Sequence, residues 1–501
     1  MSLLTTDPRT GARTDTGIAE TTPAELAAIT EAAVAAFGAL RARPRGWRAG
    51  LLRALADAVE ADREALVAAA LSETGLAEAR LNGELSRSAF QLRLFADAVD
   101  EGGYLEAVID HAGPTPLGPG PDVRRMLVPL GPVAVFGASN FPFAFSVLGG
   151  DTASALAAGC PVVAKAHSSH LLTSRRSFEV LQGAARAYGA PEGTVGIVYG
   201  QEPGAALVAD PAITAVGFTG SLSTGRILQD IIDRRETPIP FYGELSSLNP
   251  LVITEAAVAA RAAAIGEGLF ASVTGSAGQL CTKPGVAFVP HGADALVDDL
   301  VARAEAAQAQ PLLNARIHGA FDEIRGRLIS EGGARSLVAP AAGPDGFTTT
   351  PALLEIDAAD LTPAATEEAF GPLLVVVRYR ALDEVVRALD AVPASLTATI
   401  HSEPADADAI AAFVDDVAPR VGRIVFDGFP TGVRVSWGMH HGGPWPATNT
   451  QHTSVGVTAI RRFLRPLAWQ DAPEALLPAE LRDGPADLPR RVDGVLELAG
   501  A

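Results

Sequence analysis

The stretch Val133-Ala134-Val135-Phe136-Gly137-Ala138-Ser139-Asn140-Phe141-Pro142 decides how the middle of this chain is read. Four apolar residues without polar alternation predict a strand buried on both faces, and the glycine, asparagine and proline beyond them end it in a turn. The stretch lies inside residues 126–150, which carry no charge. Such a run imitates a membrane span, but Pro129, Pro132, Pro142, Asn140 and four glycines break it too often for a spanning helix. A strand, a loop and a helix near 146–158 fit instead.

Working outward, apolar runs and helical patterns alternate. Val162-Val163-Ala164, Val195-Gly196-Ile197-Val198 and Ala215-Val216-Gly217-Phe218 read as strands, with a helix near 174–188. After Glu244 the alternation restarts with Leu251-Val252-Ile253, a helix to about 272, Val286-Ala287-Phe288-Val289 and a helix to about 309. Further strands are predicted at 373–377, 397–400 and 423–425. The fold class is therefore α/β, with two doubly wound, mostly parallel sheets. On the N-terminal side, Thr22-Pro23-Ala24-Glu25 is a capping box opening a helix, and Gly75 is a stop for a second helical block. A third helix runs to about 102. Residues 108–121 are rich in Pro and Gly and read as an arm, residues 454–464 alternate like an edge strand, and the tail is rich in Pro and Asp.

With 501 residues the chain predicts roughly two to four domains. Its net charge of −19 argues against a nucleic-acid partner or an anionic membrane surface. Residues 1–22 are polar, without the apolar core of a secretory signal. Two cysteines cannot make a disulfide framework, so a reducing cytoplasm is expected. No metal site is expected.

Six pieces carry chemistry. Cys281 sits among small residues in Gly278-Gln279-Leu280-Cys281-Thr282-Lys283, a loop that can present a thiol to a small ligand. Asn140, in the turn after the first strand, can aim a neutral amide at a developing oxyanion. Lys165 ends a strand and Ser168 follows it, at the sheet edge where cofactors bind. Gly217, Gly220, Ser221 and Gly225 surround the start of a helix, where backbone amides can receive a pyrophosphate. Glu244, among uncharged neighbours, suits a general base with a raised pKa, and Glu368 with Phe370 can hold a ribose and wall the adjacent ring.

Together these pieces resemble the aldehyde dehydrogenase superfamily, over about residues 20–470. The resemblance implies a cofactor domain (1–108 with 130–245), a catalytic domain (246–445), an oligomerisation arm of β-structure (109–129 with 446–470) and a C-terminal tail (471–501). It implies a homodimer or homotetramer acting on a small aldehyde with no nucleic acid or membrane partner. In that reading Cys281 attacks as thiolate, so its site must favour the anion. Asn140 steadies the oxyanion, hydride leaves to a nicotinamide, and Glu244 activates water to open the thioester. Phe141, Phe143, Phe145 and Trp445 are expected to line the aldehyde tunnel, and Arg434 to clamp an acidic substrate.

Two departures narrow the branch. Ser246-Ser247 replaces the usual Gly-Gly after Glu-Leu, and Ser168 stands where members that prefer NAD often carry a glutamate. Loss of that carboxylate removes repulsion toward a 2′-phosphate, so NADP is the expected cofactor, with NAD as the alternative. The segment Met439-His440-His441-Gly442-Gly443-Pro444-Trp445-Pro446 is similar to the branch of α-ketoglutaric semialdehyde (2,5-dioxopentanoate) dehydrogenases and an NADP-linked fatty aldehyde dehydrogenase. His441, ahead of His440, is expected beside the thiol. A broad or fatty aldehyde dehydrogenase is the alternative, and a cysteine hydrolase using Cys281 and His441 is an alternative of another class.

Overall fold

All four residues of the strand Val133–Phe136 are buried, which requires a covering layer on each face of its sheet. In the computed structural model, which describes residues 2–499 and leaves Met1, Gly500 and Ala501 outside, that strand is the centre of a five-stranded parallel sheet. Val162–Lys165 and Val195–Val198 lie on one side of it, Ala215–Thr219 and Phe241–Glu244 on the other. The order of the strands along the chain thus reverses between Val133–Phe136 and Ala215–Thr219. At such a switch point the loops leaving neighbouring strands diverge and open a crevice at the carboxyl edge.

The second sheet has seven strands, ordered Arg335–Val338, Ala352–Asp357, Leu373–Tyr379, Val286–Pro290, Leu251–Ile253, Ser395–His401 and Val421–Phe426. Only the first of these pairs antiparallel to its neighbour. The Arg335–Val338 and Ala352–Asp357 strands were not anticipated, because Arg, Ser and Glu interrupt their apolar pattern. The helix Glu255–Thr274 packs Ile265, Leu269 and Val273 onto this sheet, and Pro23–Arg41 places Leu26 and Ala33 in the core of the first. Both helices are long and apolar enough to cross a membrane, yet each has a sheet for its apolar side.

A third sheet, also of five strands, is ordered Leu464–Gln470, Val123–Pro129, Ala107–Asp110, Arg490–Val492 and Val495–Glu497. Two expectations are corrected here. The late strand begins at Leu464, whereas Val457–Phe463 is a 3₁₀ helix. Its Val457, Ala459, Ile460 and Phe463 are all buried, so packing on more than one side overrides the alternation. The C-terminal tail is also not an appendage, since it supplies two strands. At the other end, Ser2–Thr6 and Arg13–Ala19 form an antiparallel hairpin, tied down where Thr5 donates to Glu73 at 2.8 Å.

The charge-free stretch near 126–150 resolves into the Val123–Pro129 and Val133–Phe136 strands, a loop, and the helix Gly150–Ala158. The capping box at Thr22 and Glu25 forms, and Gly75 ends its helix at φ +62°.

Candidate active site

Cys281 lies between the helix Glu255–Thr274 and the strand Val286–Pro290, in a loop with an uncommon backbone. Ser276 and Ala277 both have φ of 54° and Gly278 has 68°. Left-handed backbone is costly for residues with side chains. At Gly278 an added Cβ would also lie 2.3 Å from the carbonyl oxygen of Gly371, so the Glu368–Phe370–Gly371 segment packs directly on the loop.

Buried amides hold this shape. Gln279 donates to the carbonyls of Ser276 and Pro311 and accepts from the Leu313 N–H. Asn249, itself at φ 55°, donates to the carbonyls of Cys281 and Lys283 at 2.8 and 3.0 Å. The Ser247 hydroxyl donates to Asn249 at 2.6 Å and accepts from the Leu396 N–H at 2.9 Å. The serine that stands in place of glycine is therefore part of the brace beneath the nucleophile loop.

Glu244 ends the outer strand of the first sheet, and His441 arrives on the return loop from the second. The His441 Nε2 is 3.0 Å from the Glu244 Oε1 and 3.6 Å from the Cys281 Sγ. Ser454 donates to the other carboxylate oxygen at 2.7 Å. Donor atoms of Glu244, Cys281 and His441 all lie within 4.8 Å of one another.

The electrostatics differ from expectation at both groups. Burial would raise Glu244, but the His441 charge and hydrogen bonds from His441, Ser454 and the thiol outweigh it and hold the carboxyl down at about 2. It is a paired anion, not a carboxyl with a raised pKa. Burial first, and then the neighbouring Glu244 charge, push the Cys281 thiol well above its ordinary range, with Arg87 opposing. The site as it stands favours the thiol, not the thiolate.

The geometry also argues against a cysteine hydrolase. One imidazole nitrogen faces both the carboxylate and the thiol, so its proton goes to the carboxylate. A hydrolase needs that nitrogen free to accept from the nucleophile, with the orienting acid on the other.

Asn140 is buried and donates one amide hydrogen to the Gln279 carbonyl at 2.8 Å. This ties it to the residue two before Cys281 and leaves its second N–H to be used. Among the aromatics, Phe145 lies against His441, with ring centroids 6.1 Å apart, and against Phe141 at 5.2 Å. Phe143 does not line a tunnel: it is fully buried in the core, and its N–H donates to Glu84. Trp445 is half exposed beneath the Arg226 guanidinium, 5.7 Å from its ring centroid, and so faces the cofactor-side helix. Arg434 is exposed, whereas the cations whose charge reaches Cys281 are Arg87 and Arg423.

The dinucleotide crevice fits the expected group in part. The helix Leu222–Asp233 starts at the carboxyl edge of the strand Ala215–Thr219, with the Ser221 hydroxyl accepting from the Thr224 N–H at 3.3 Å. Its first amides point outward at the switch point, where an anion is favoured. Lys165 ends its strand half-buried, where burial depresses its pKa, and the Ser168 side chain is exposed. Two glycines have other reasons to be glycine. A Cβ on Gly217 would meet the Asp151 carboxylate at 2.7 Å, and one on Gly225 would meet Leu245 at 2.4 Å, so both permit close packing inside the fold. Gly220 is bound through its N–H to the Glu244 carbonyl at 3.0 Å.

Glu368 accepts from the Ser247 N–H at 3.1 Å. Burial lifts its carboxyl to about 7, with Lys283 opposing. Lys283 donates to the Leu373 carbonyl at 2.9 Å. Phe370 is half-buried against the main core.

The sequence pattern of the aldehyde dehydrogenase family matches residues 3–443. The chain belongs to the aldehyde dehydrogenase family. It is an oxidoreductase acting on aldehydes, and the family uses nicotinamide dinucleotides. It is similar to alpha-ketoglutaric semialdehyde dehydrogenase 2 of Azospirillum brasilense, with 45% identity over 95% of this chain and 92% of the relative. The alpha-ketoglutaric semialdehyde dehydrogenase of Acinetobacter baylyi is 38% identical over 94% and 91%. Among solved structures, aldehyde dehydrogenase 21 of Physcomitrella patens superposes with a TM-score of 0.79 at 20% identity, covering 94% and 95% of the two chains. Proline utilization A of Bradyrhizobium japonicum gives 0.78 at 27% identity and covers 90% of this chain, which spans 45% of that longer protein.

Proposed function

We propose that this aldehyde dehydrogenase oxidises α-ketoglutaric semialdehyde (2,5-dioxopentanoate) to 2-oxoglutarate, with NADP preferred over NAD, as a cytoplasmic homodimer or homotetramer. The substrate is suggested by the two similar semialdehyde dehydrogenases. The observation that carries the chemistry is the convergence of Cys281 and Glu244, from two different sheets, within 4.8 Å.

In this reading the Cys281 sulfur attacks the aldehyde carbon. Its proton must first leave to solvent, a step the neighbouring Glu244 charge opposes. The second amide hydrogen of Asn140 and the Cys281 backbone N–H steady the oxyanion, each contributing roughly 3 kcal/mol to the barrier reduction. A bound nicotinamide dinucleotide supplies the hydride acceptor. Cys281 then holds the acyl group as a thioester, and Glu244 takes a proton from the water that opens it. The arm sheet supports the oligomeric reading, since Leu464–Gln470 leaves one sheet edge unpaired among the described residues. NADP is favoured because Lys165 supplies a cation and Ser168 a hydroxyl at the crevice edge, where a carboxylate at position 168 would repel a 2′-phosphate.

The test is a panel of aldehydes with purified enzyme, followed by nicotinamide reduction. We expect 2,5-dioxopentanoate to give the highest kcat/KM, NADP to exceed NAD, and Cys281→Ala to abolish turnover. A strong NAD preference refutes the Ser168 argument, and an active Cys281→Ala refutes the nucleophile.

A further inference from the structure

The helix Glu78–Glu101 carries Arg80, Glu84 and Arg87 on one side, at the spacing of successive turns. They face the loop that bears Asn140. Arg80 donates to the Asn140 carbonyl at 2.7 Å and lies over the Phe141 ring at 4.7 Å. Arg87 lies over Phe145 at 5.1 Å and Phe141 at 5.9 Å. Phe145 in turn lies against His441, so one ring separates Arg87 from the imidazole beside the thiol.

The charges in this row do not balance. Glu84 is committed, its Oε1 accepting from the N–H groups of Phe143 and Ala144 at 2.7 and 2.9 Å. Its other oxygen is 3.7 Å from Arg80. Arg87 shares the Glu84 charge but is not hydrogen-bonded to it: its Nε and Nη2 are shielded from solvent without a hydrogen bond among the described residues. A buried guanidinium edge left unpaired is expensive in a folded protein, and a guanidinium presents a planar fork that fits a carboxylate.

We propose that Arg87 is the carboxylate clamp of the substrate site, binding the distal carboxylate of an anionic aldehyde through its unpaired edge. The phenylalanines hold the guanidinium plane while Cys281 faces the aldehyde carbon. This replaces Arg434 in that role, and it rests on the reading of the substrate as an acidic semialdehyde.

The test compares kcat/KM, with NADP, for 2,5-dioxopentanoate, 5-oxopentanoate and pentanal in the wild type, Arg87→Ala and Arg87→Lys. We expect Arg87→Ala to lose roughly ten- to hundredfold more on the two anions than on pentanal, mostly in KM. Arg87→Lys should recover part of that, since it restores charge without the fork. Equal losses on anions and pentanal overturn the clamp while leaving the substrate reading intact. A wild type inert toward 2,5-dioxopentanoate that prefers 5-oxopentanoate to pentanal, with the preference lost in Arg87→Ala, refutes the substrate and upholds the clamp. A wild type that favours pentanal over both anions refutes both. Should the variants not fold, phenylglyoxal labelling of the wild type, mapped by mass spectrometry, decides: 2-oxoglutarate should protect Arg87 several-fold, and unprotected labelling overturns the proposal.

Discussion

At Cys281 two demands oppose each other. The carboxylate needed to open the thioester stands beside the sulfur that must first ionise, and its charge keeps that sulfur protonated. The sign of the pH effect follows. A raised thiol yields little thiolate near neutrality, so iodoacetamide should label the enzyme slowly at pH 7, with a rate that climbs through and beyond pH 9. Glu244→Gln removes the neighbouring charge and should speed labelling at fixed pH by roughly three- to tenfold. The same variant should keep a rapid first turnover and lose steady-state rate by roughly a hundredfold or more. Slower labelling in Glu244→Gln would show that its charge does not govern the thiol, and an undiminished steady state would remove it as the base.

Among the elements, the loop at 276–281 shows how a reactive position is fixed from outside. Asn249 follows one strand, Gly371 precedes another, and Gln310 and Pro311 belong to a third, yet all bear on six residues. Gly278→Ala should therefore be severe: it strains a left-handed residue and drives a methyl into a backbone carbonyl that no rotamer change can clear. We expect a stability loss of roughly 2 kcal/mol or more and near-complete loss of activity, read by thermal unfolding and turnover. An active variant of wild-type Tm would mean that the loop tolerates another backbone. This dependence on distant partners also marks what could be read beforehand. Cys281, Glu244 and Asn140 were legible because each combines a reactive group with a turn-forming neighbourhood. Asn249 and Arg87 were not, since nothing adjacent to them in sequence shows which carbonyl, ring or unpaired edge they will meet. Gly217 and Gly225 have a packing reason the sequence did not show, because a glycine needed for packing looks the same in sequence as one needed by a ligand.

For the whole molecule, the two α/β sheets followed from buried apolar runs, while the third sheet was anticipated only in its arm and not in the strands of the tail. Its strands are partly exposed and drawn from distant segments, so their pairing partners and, for Arg490–Val492 and Val495–Glu497, their existence are not announced by a local period. Arg124 makes that dependence concrete, reaching the Leu481 carbonyl at 2.7 Å and Asp483 at 2.8 Å in the tail. Deleting residues 471–501 would uncover the strand Ala107–Asp110 and the sites filled by the buried Leu481 and Leu488. Those two side chains alone represent roughly 3–6 kcal/mol of burial. The truncated chain should melt earlier and, on the oligomeric reading proposed above, lose its oligomer, measured by calorimetry and by light scattering after size exclusion. An unchanged oligomer with the wild-type Tm would make the tail dispensable.

That same sheet sets a clock on biosynthesis. Val123–Pro129 emerges early from the ribosome, but one of its neighbours begins at Leu464, and the strand Ala107–Asp110 waits for Arg490. At about 5–20 residues per second, the early strands spend tens of seconds with their edges open. A nascent chain therefore cannot complete this sheet until its late strands have emerged.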